Sequence, residues 1–358
     1  MVRDWRRDDA SIVGRGAAAN PKNRFEKIAV EPDPTEQEDE ELRPETIYLR
    51  DHSRSIISTN ASPDIGFDAS INPYRGCSHG CTYCYARPTH EYLGLSAGLD
   101  FETKVLVKED APELLRGQLL SPRWEPKVLS MSGVTDPYQP IEKRLGITRG
   151  CLTVLADFRN PVAIVTKNHL VTRDIDLLSE LARYDAAVVA VSLTTLDDDL
   201  RRVMEPRTSR PLRRLAAIEK LADAGIPVGV MSAPVIPGPT DHELPNLISA
   251  AAEAGASFAA YVPVRLPGAV GPLFEDWLSR HFPERKEKVL NRIRSMKAGR
   301  LNDPKFGSRM RGEGVFAEHI ARLFDVSCRR AGIENGYFPK LSTATFRRDG
   351  GLQSSLFD

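Results

Sequence analysis

Long apolar runs are missing from this chain. None approaches the roughly 20 residues that span a bilayer, and the opening MVRDWRRDDASIV has no apolar core of the secretory-signal kind. Both absences predict a cytoplasmic protein. Cysteine is scarce: five in 358 residues, an odd number, with Cys77, Cys81 and Cys84 crowded together and Cys151 and Cys328 far from them. That pattern excludes a disulfide framework and fits a reducing compartment with a metal site. Net charge is lacking too, 49 Lys and Arg meeting 49 Asp and Glu. The balance is uneven, however: from Arg280 to the end 17 Lys and Arg face 9 Asp and Glu, so this part carries +8 and the remainder −8. Such asymmetry permits a polyanionic partner, because cations that neutralise phosphates release counterions. A solvated helical face would carry the same charge run equally well.

What is present reads as a folded chain. Hydrophobic residues at 41% and charged residues at 27% are ordinary for a globular protein with a substantial core. Residues 1–47 differ: GRGAAANPKNRF followed by the acidic EPDPTEQEDEELRPE predicts a flexible, disordered N-terminal arm, too polar to order itself. From residue 65, short β-branched runs alternate with amphipathic segments. Strands are expected at 67–72, 127–131, 162–166, 187–193, 227–236 and 258–264. Between them lie helical stretches such as PLRRLAAIEKLADAG, with Leu212, Leu215, Ile218 and Leu221 every three residues and Gly225 as a stop. Six such repeats predict an α/β fold, a partial (β/α)6 TIM-like barrel over 48–270 whose strand C-termini build the active site. Beyond residue 270 a basic helical C-terminal extension and tail, 271–358, is expected.

The stretch NPYRGCSHGCTYCYARPTHEY carries the chemistry. Its spacing, C-x3-C-x2-C, lets one loop wrap three corners of an iron–sulfur cubane, which soft thiolates suit. The fourth iron has no clustered partner and stays open to a ligand from outside the protein. The alternative is a zinc-binding, non-enzymatic protein with a Cys3His site using His79 or His90. Zinc ligands usually arrive as two separated pairs, and no second pair is present.

The spacing, placed after the first barrel strand, resembles the radical S-adenosylmethionine (radical SAM) superfamily. GCSHGCTYCYA, SGVTDPYQPIE, TKNHLVTRDIDLL, SLTTLDDDLRRVMEPRTSRPLRRL, MSAPVIPGPTD and FGSRMRGEGVFAEHIARLF resemble its spore photoproduct lyase-like and DNA repair photolyase-like subgroup, over about residues 48–325. The resemblance implies a [4Fe–4S] cluster on Cys77, Cys81 and Cys84 whose open iron chelates S-adenosyl-L-methionine. It also implies reductive cleavage of that molecule to a 5′-deoxyadenosyl radical, with flavodoxin or ferredoxin as electron donor. DNA is the implied partner, with lyase-type repair of a lesion as the reaction. A peptide or small-molecule substrate is the alternative within the same chemistry.

Site roles follow from the same resemblance. Gly133, whose lack of a side chain lets backbone approach a ligand, and the polar Thr135 and Asp136 match the segment that holds the methionine amino group. Lys167, Ser192 and Thr194 match cofactor-contacting positions, and Arg207, taken to open a helix, matches the partner of the methionine carboxylate. Tyr83 and Tyr85 match tyrosines linked to the radical relay, Tyr83 also lying at the cofactor. The chain departs from the subgroup at its hydrogen-donor cysteine: Ser132 and Gly133 stand at that point and offer no thiol, while Cys151 lies on the following helix. Two expectations concern partners. Arg292, Arg294, Lys297, Arg309 and Arg311 should supply DNA affinity, and Gln353–Phe357 (QSSLF) resembles the bacterial sliding-clamp binding pentapeptide.

Overall fold

The alternating runs become the strands of one sheet. The computed structural model describes residue 12 and residues 14–26, 44–336 and 338–351. Its strands are β1 (Ile47–Arg50), β2 (Ile57–Thr59), β3 (Ala69–Ile71), β4 (Tyr74–Arg75), β5 (Lys104–Val107), β6 (Leu129–Met131), β7 (Val162–Thr166), β8 (Ala187–Ser192), β9 (Val228–Val235), β10 (Phe258–Pro263) and β11 (Glu334–Asn335). The main sheet runs in the order β11-β10-β9-β8-β7-β6-β3-β2. The six expected strands, β3, β6, β7, β8, β9 and β10, are parallel neighbours in chain order, so their C-terminal ends share one edge. β2 is added antiparallel at one side and β11 parallel at the other. Among the described residues these two outer strands do not pair with each other, and the sheet is open. The fold is mixed α/β, with a small second sheet ordered β1-β5-β4.

Strand periodicity divides the core. Val189 and Val191 of β8 face one way, packing with Ile164, Val230 and the helices Ile147–Phe158, Ile175–Ala182, Pro211–Asp223 and Leu244–Glu253. Val188 and Ala190 face the other way, with Ala163, Val165, Met231 and Phe258. This second face is met by Phe338 and Leu341 of the C-terminal segment, the Phe338 and Phe258 rings lying 5.0 Å apart.

In the helix Pro211–Asp223 the expected stripe is corrected. Leu212 is 79% exposed, and the buried face is Arg214, Ala217, Ile218 and Leu221. A step of three residues turns only 300°, so after nine residues the row Leu212, Leu215, Ile218, Leu221 has crossed to the opposite side.

After residue 270 the chain continues as helices that pack on the sheet domain. The helix Val315–Ala331 packs Ile320 and Phe324 into the main core and leads into β11. The following segment returns along the sheet, with Ser342 N–H donating to Asp185 C=O (2.8 Å) and Arg347 N–H to Phe158 C=O (3.0 Å). Among the described residues no helix is long and apolar enough to cross a membrane.

Candidate active site

The cysteine loop follows β3 and β4 and is wound by short turns. Gly80 N–H bonds Cys77 C=O (3.4 Å), Cys84 N–H bonds Cys81 C=O (3.3 Å), and Arg87 N–H bonds Cys84 C=O (3.2 Å). Gly80 has φ +69°, and a side chain there would meet Glu102 Oε2 at 2.6 Å. Arg87, fully buried, donates through Nε and Nη2 to Cys81 C=O (3.1 and 2.9 Å) and pairs with Glu102 at 2.5 Å. Glu102 also accepts from Gly16 N–H (3.0 Å) and Ala17 N–H (2.9 Å), while Arg15 donates to its carbonyl (2.9 Å). Residues 14–26, expected to belong to a disordered arm, are therefore packed under the cysteine loop. A Cβ on Gly16 would lie 1.8 Å from Gly80 O, so the two backbones are in direct contact.

All three thiols are free, Cys77 and Cys81 buried and Cys84 half-buried. One wall is apolar: Cys81 and Tyr83 pack with Leu200, Met204 and Ile236. Burial pushes the Cys81 thiol well above its ordinary pKa, with Glu205 adding to the rise, and pushes Cys84 up to about 11. Among the described residues no three His, Cys, Asp or Glu side chains converge tightly enough to hold one metal ion. Three free soft ligands on one short loop suit an iron–sulfur cluster. His90 bonds away from the cysteines, whereas His79 touches Cys77 as well as Asp136. Asn168 Nδ2 donates to His79 Nε2 (3.3 Å) and His79 Nδ1 faces Asp136 (3.4 Å), while His90 Nε2 donates to Lys104 C=O (3.0 Å).

Gly133, Thr135 and Asp136 follow β6 at the shared edge. Asp136 accepts from Thr166 Oγ1 and Lys167 N–H, both at 2.7 Å. Burial works to raise its carboxyl, but His79 and these hydrogen bonds outweigh burial and hold it below the usual range. Thr135 Oγ1 donates to Tyr74 C=O (2.9 Å). These two side chains thus brace the loop, and the Gly133 carbonyl accepts from Tyr85 OH (2.9 Å).

Lys167, Ser192 and Thr194 do come together. The Lys167 ammonium donates to Ser192 Oγ (2.8 Å), Thr194 Oγ1 (3.1 Å) and Ala233 C=O (3.0 Å), and stands 3.0 Å from Glu205 Oε1. Glu205 is fully buried and also binds Arg214 (2.5 Å), Thr194 Oγ1 (2.8 Å) and Tyr83 OH. Burial alone would raise its pKa; Arg214 and Lys167 reverse this and hold it far below. Sequence reasoning missed Glu205 and Arg214. The available signal was Arg214, a charge on the buried stripe of its helix. Arg207 is not brought to this group. It lies in a turn before Pro211, its N–H bonding His79 C=O (3.2 Å) and its exposed guanidinium reaching Thr46 Oγ1 (3.4 Å). The two tyrosines separate: Tyr83 is buried at Glu205, and Tyr85 is 51% exposed at the mouth.

The basic residues expected to meet DNA differ in their surroundings. Lys297 is buried and donates to Arg309 C=O (2.8 Å), Arg309 pairs with Asp64, and Arg294 lies 3.7 Å from Glu275. Arg292 stacks over Phe316 at 5.4 Å, and Arg311 is exposed.

The sequence profile of the Radical SAM superfamily matches residues 71–251, from β3 through the helix Leu244–Glu253. The chain belongs to the radical SAM superfamily. Its cofactors are those of that family, a [4Fe–4S] cluster and S-adenosylmethionine, and a zinc-binding non-enzymatic protein is thereby set aside. An uncharacterized protein of Mycobacterium tuberculosis is 41% identical over 220 residues, 61% of this chain and 65% of its own length. One of Methanocaldococcus jannaschii is 31% identical over 173 residues, 48% of this chain and 62% of its own. The chain thus matches less than two thirds of the length of these relatives. Among solved structures, spore photoproduct lyase complexed with dinucleoside spore photoproduct has the same fold, with TM-score 0.58 at 16% identity, covering 81% of this chain and 82% of its own. A variant of that lyase with bound AdoMet and the same dinucleoside gives TM-score 0.56 at 16% identity, covering 81% of each.

Proposed function

We propose that this radical SAM enzyme acts on nucleic acid, with a DNA lesion as its substrate class, and that Cys77, Cys81 and Cys84 hold the cluster at the mouth of a partial barrel. The observation that carries the reading is the placement of three free thiols at the sheet edge that also bears Gly133, Lys167, Ser192 and Thr194. Bound there, cluster and S-adenosylmethionine supply a 5′-deoxyadenosyl radical. The chain's own residues prepare the place. Arg87 and Glu102 fix the Cys81 carbonyl and with it the loop. Leu200, Met204 and Ile236 keep water from one side of it. Lys167, fastened by Glu205, orients the Ser192 and Thr194 hydroxyls toward its ammonium.

Nucleic acid is supported by the dinucleoside bound to spore photoproduct lyase, a protein of the same fold, and by Tyr85, an exposed ring on which a base can stack. The reaction differs from that lyase's in its hydrogen donor. Ser132 and Gly133 carry no thiol, and Cys151 is fully buried in the core of the helix Ile147–Phe158. The reading includes an external one-electron donor of flavodoxin or ferredoxin type, and a sliding clamp as partner through Gln353–Phe357, which lies outside the described residues. The test is 5′-deoxyadenosine formation by reconstituted, reduced protein with and without ultraviolet-damaged oligonucleotide. Stimulation by damaged over intact strands supports the reading; slow formation unaffected by any nucleic acid would remove DNA as substrate while leaving the chemistry.

A further inference from the structure

One cation at the C-terminal edge of the sheet makes no ion pair among the described residues. Arg265 follows β10 by two residues, at the edge that carries the cysteine loop, and its guanidinium lies 5.9 Å from the centre of the Tyr85 ring. Among the described residues no carboxylate forms an ion pair with it. Its Nε is buried without a hydrogen-bond partner, and Nη1 reaches only the Met310 sulfur at 3.2 Å, a weak acceptor. Like charges, Arg309 and Lys297, are close to it, and Asp64 acts on it without an ion pair. Burial and then Arg309 lower the Arg265 pKa, and burial and then Arg265 bring Lys297 down to about 8. The two nearby acids are taken: Asp64 by Gly307 N–H (2.7 Å) and Arg309, Asp303 by Ser308 Oγ (2.5 Å) and Lys305 N–H (2.9 Å).

A half-buried guanidinium with idle donors among like charges is costly unless an anion completes it. Its fork of N–H groups matches a phosphate or carboxylate. An exposed ring decides between these: Tyr85, 51% exposed, lies beside Arg265. A cation beside an open aromatic face is the chemistry of single-stranded nucleic acid, phosphate on the cation and base on the ring.

We propose that Arg265 is the phosphate-binding residue of a nucleotide subsite, with Tyr85 beside it as a base platform; this rests on the nucleic-acid reading of the site. The test measures binding of a thymidine dinucleotide to the reconstituted holoenzyme, with a phosphodiester link or with a neutral methylphosphonate link, inorganic phosphate serving as competitor. Wild type should prefer the phosphodiester by about tenfold or more, the scale of a charge-assisted hydrogen bond. Arg265→Gln, with iron content retained, should bind both forms alike, and Arg265→Lys should recover part of the preference. If Arg265→Gln kept the full preference, or if wild type showed none, the subsite would be wrong while nucleic acid remained the substrate. Should either variant fail to fold, the wild-type comparison of the two links still decides whether a phosphate is read. Inorganic phosphate displacing the dinucleotide at equal concentration would mean a plain oxyanion site and overturn the nucleotide assignment. Absence of binding to the dinucleotide and to longer single strands alike would overturn both the subsite and the reading beneath it.

Discussion

The Lys167 ammonium stands 3.0 Å from the carboxylate of Glu205, a fully buried acid that also binds Arg214 and Tyr83. One carboxylate thus ties Lys167 to the tyrosine that precedes Cys84 in the cysteine loop. Glu205→Ala would leave two cations buried without their counter-charge, and breaking a buried pair in this way costs about 3–5 kcal/mol. Chemical denaturation of wild type and variant checks the figure. Lys167→Ala should cost less, because Glu205 keeps Arg214, and should weaken S-adenosylmethionine binding with little loss of iron.

The same carboxylate makes stability depend on pH in a defined direction. Its folded pKa lies below its ordinary value, so its contribution is complete above the normal carboxylate range and is lost as pH falls toward the depressed folded value. Wild type should lose stability through acid pH more steeply than Glu205→Gln, measured by denaturant titration at successive pH values. Equal slopes would show that Glu205 contributes nothing to acid sensitivity.

Gly16→Ala should cut cluster retention, since its new Cβ would collide with Gly80 O at 1.8 Å and push the N-terminal segment off Glu102. Gly66→Ala, which meets nothing within 4 Å, is the matched control. Iron and sulfide per chain after identical anaerobic reconstitution would separate the two, and equal contents would mean that the segment does not support the loop.

Such long-range support is where the sequence was least legible. The six parallel strands could be read because each run is β-branched or small-residue rich and bounded by turns, but β2 and β11, at three and two residues, are too short to show a period. GRGAAANPKNRF looks unable to order itself because its partners are remote: Glu102 and Asp100 for Gly16, Ala17 and Asn20, and the backbone of Glu91 and Leu95 for Asn23. The cysteines announced themselves by spacing alone. Lys167, Ser192 and Thr194 were named together through resemblance, whereas Glu205 stood unnoticed among the charges of MEPRTSR. Arg265 gave no local signal, since its lack of an anion is a fact of three dimensions.

The tail expectation is tested apart from the folded body. A fluorescent peptide of residues 348–358 should bind bacterial sliding clamp at modest affinity, because the free peptide must be ordered on docking. Replacing Leu356 and Phe357 by alanine should remove the signal, and equal binding of the two peptides would eliminate the clamp motif.

The central claim is that three thiols assemble a cluster that cleaves S-adenosylmethionine, and the most direct measurement is 5′-deoxyadenosine in anaerobic reactions of reconstituted, reduced protein. Wild type, Cys151→Ala and Cys328→Ala should each carry iron and sulfide and form 5′-deoxyadenosine, slowly, without any substrate. Cys84→Ala should lose both the cluster and the product. Wild type with a full, reduced cluster and no 5′-deoxyadenosine, or Cys84→Ala with a full complement of iron and sulfide, would contradict the account.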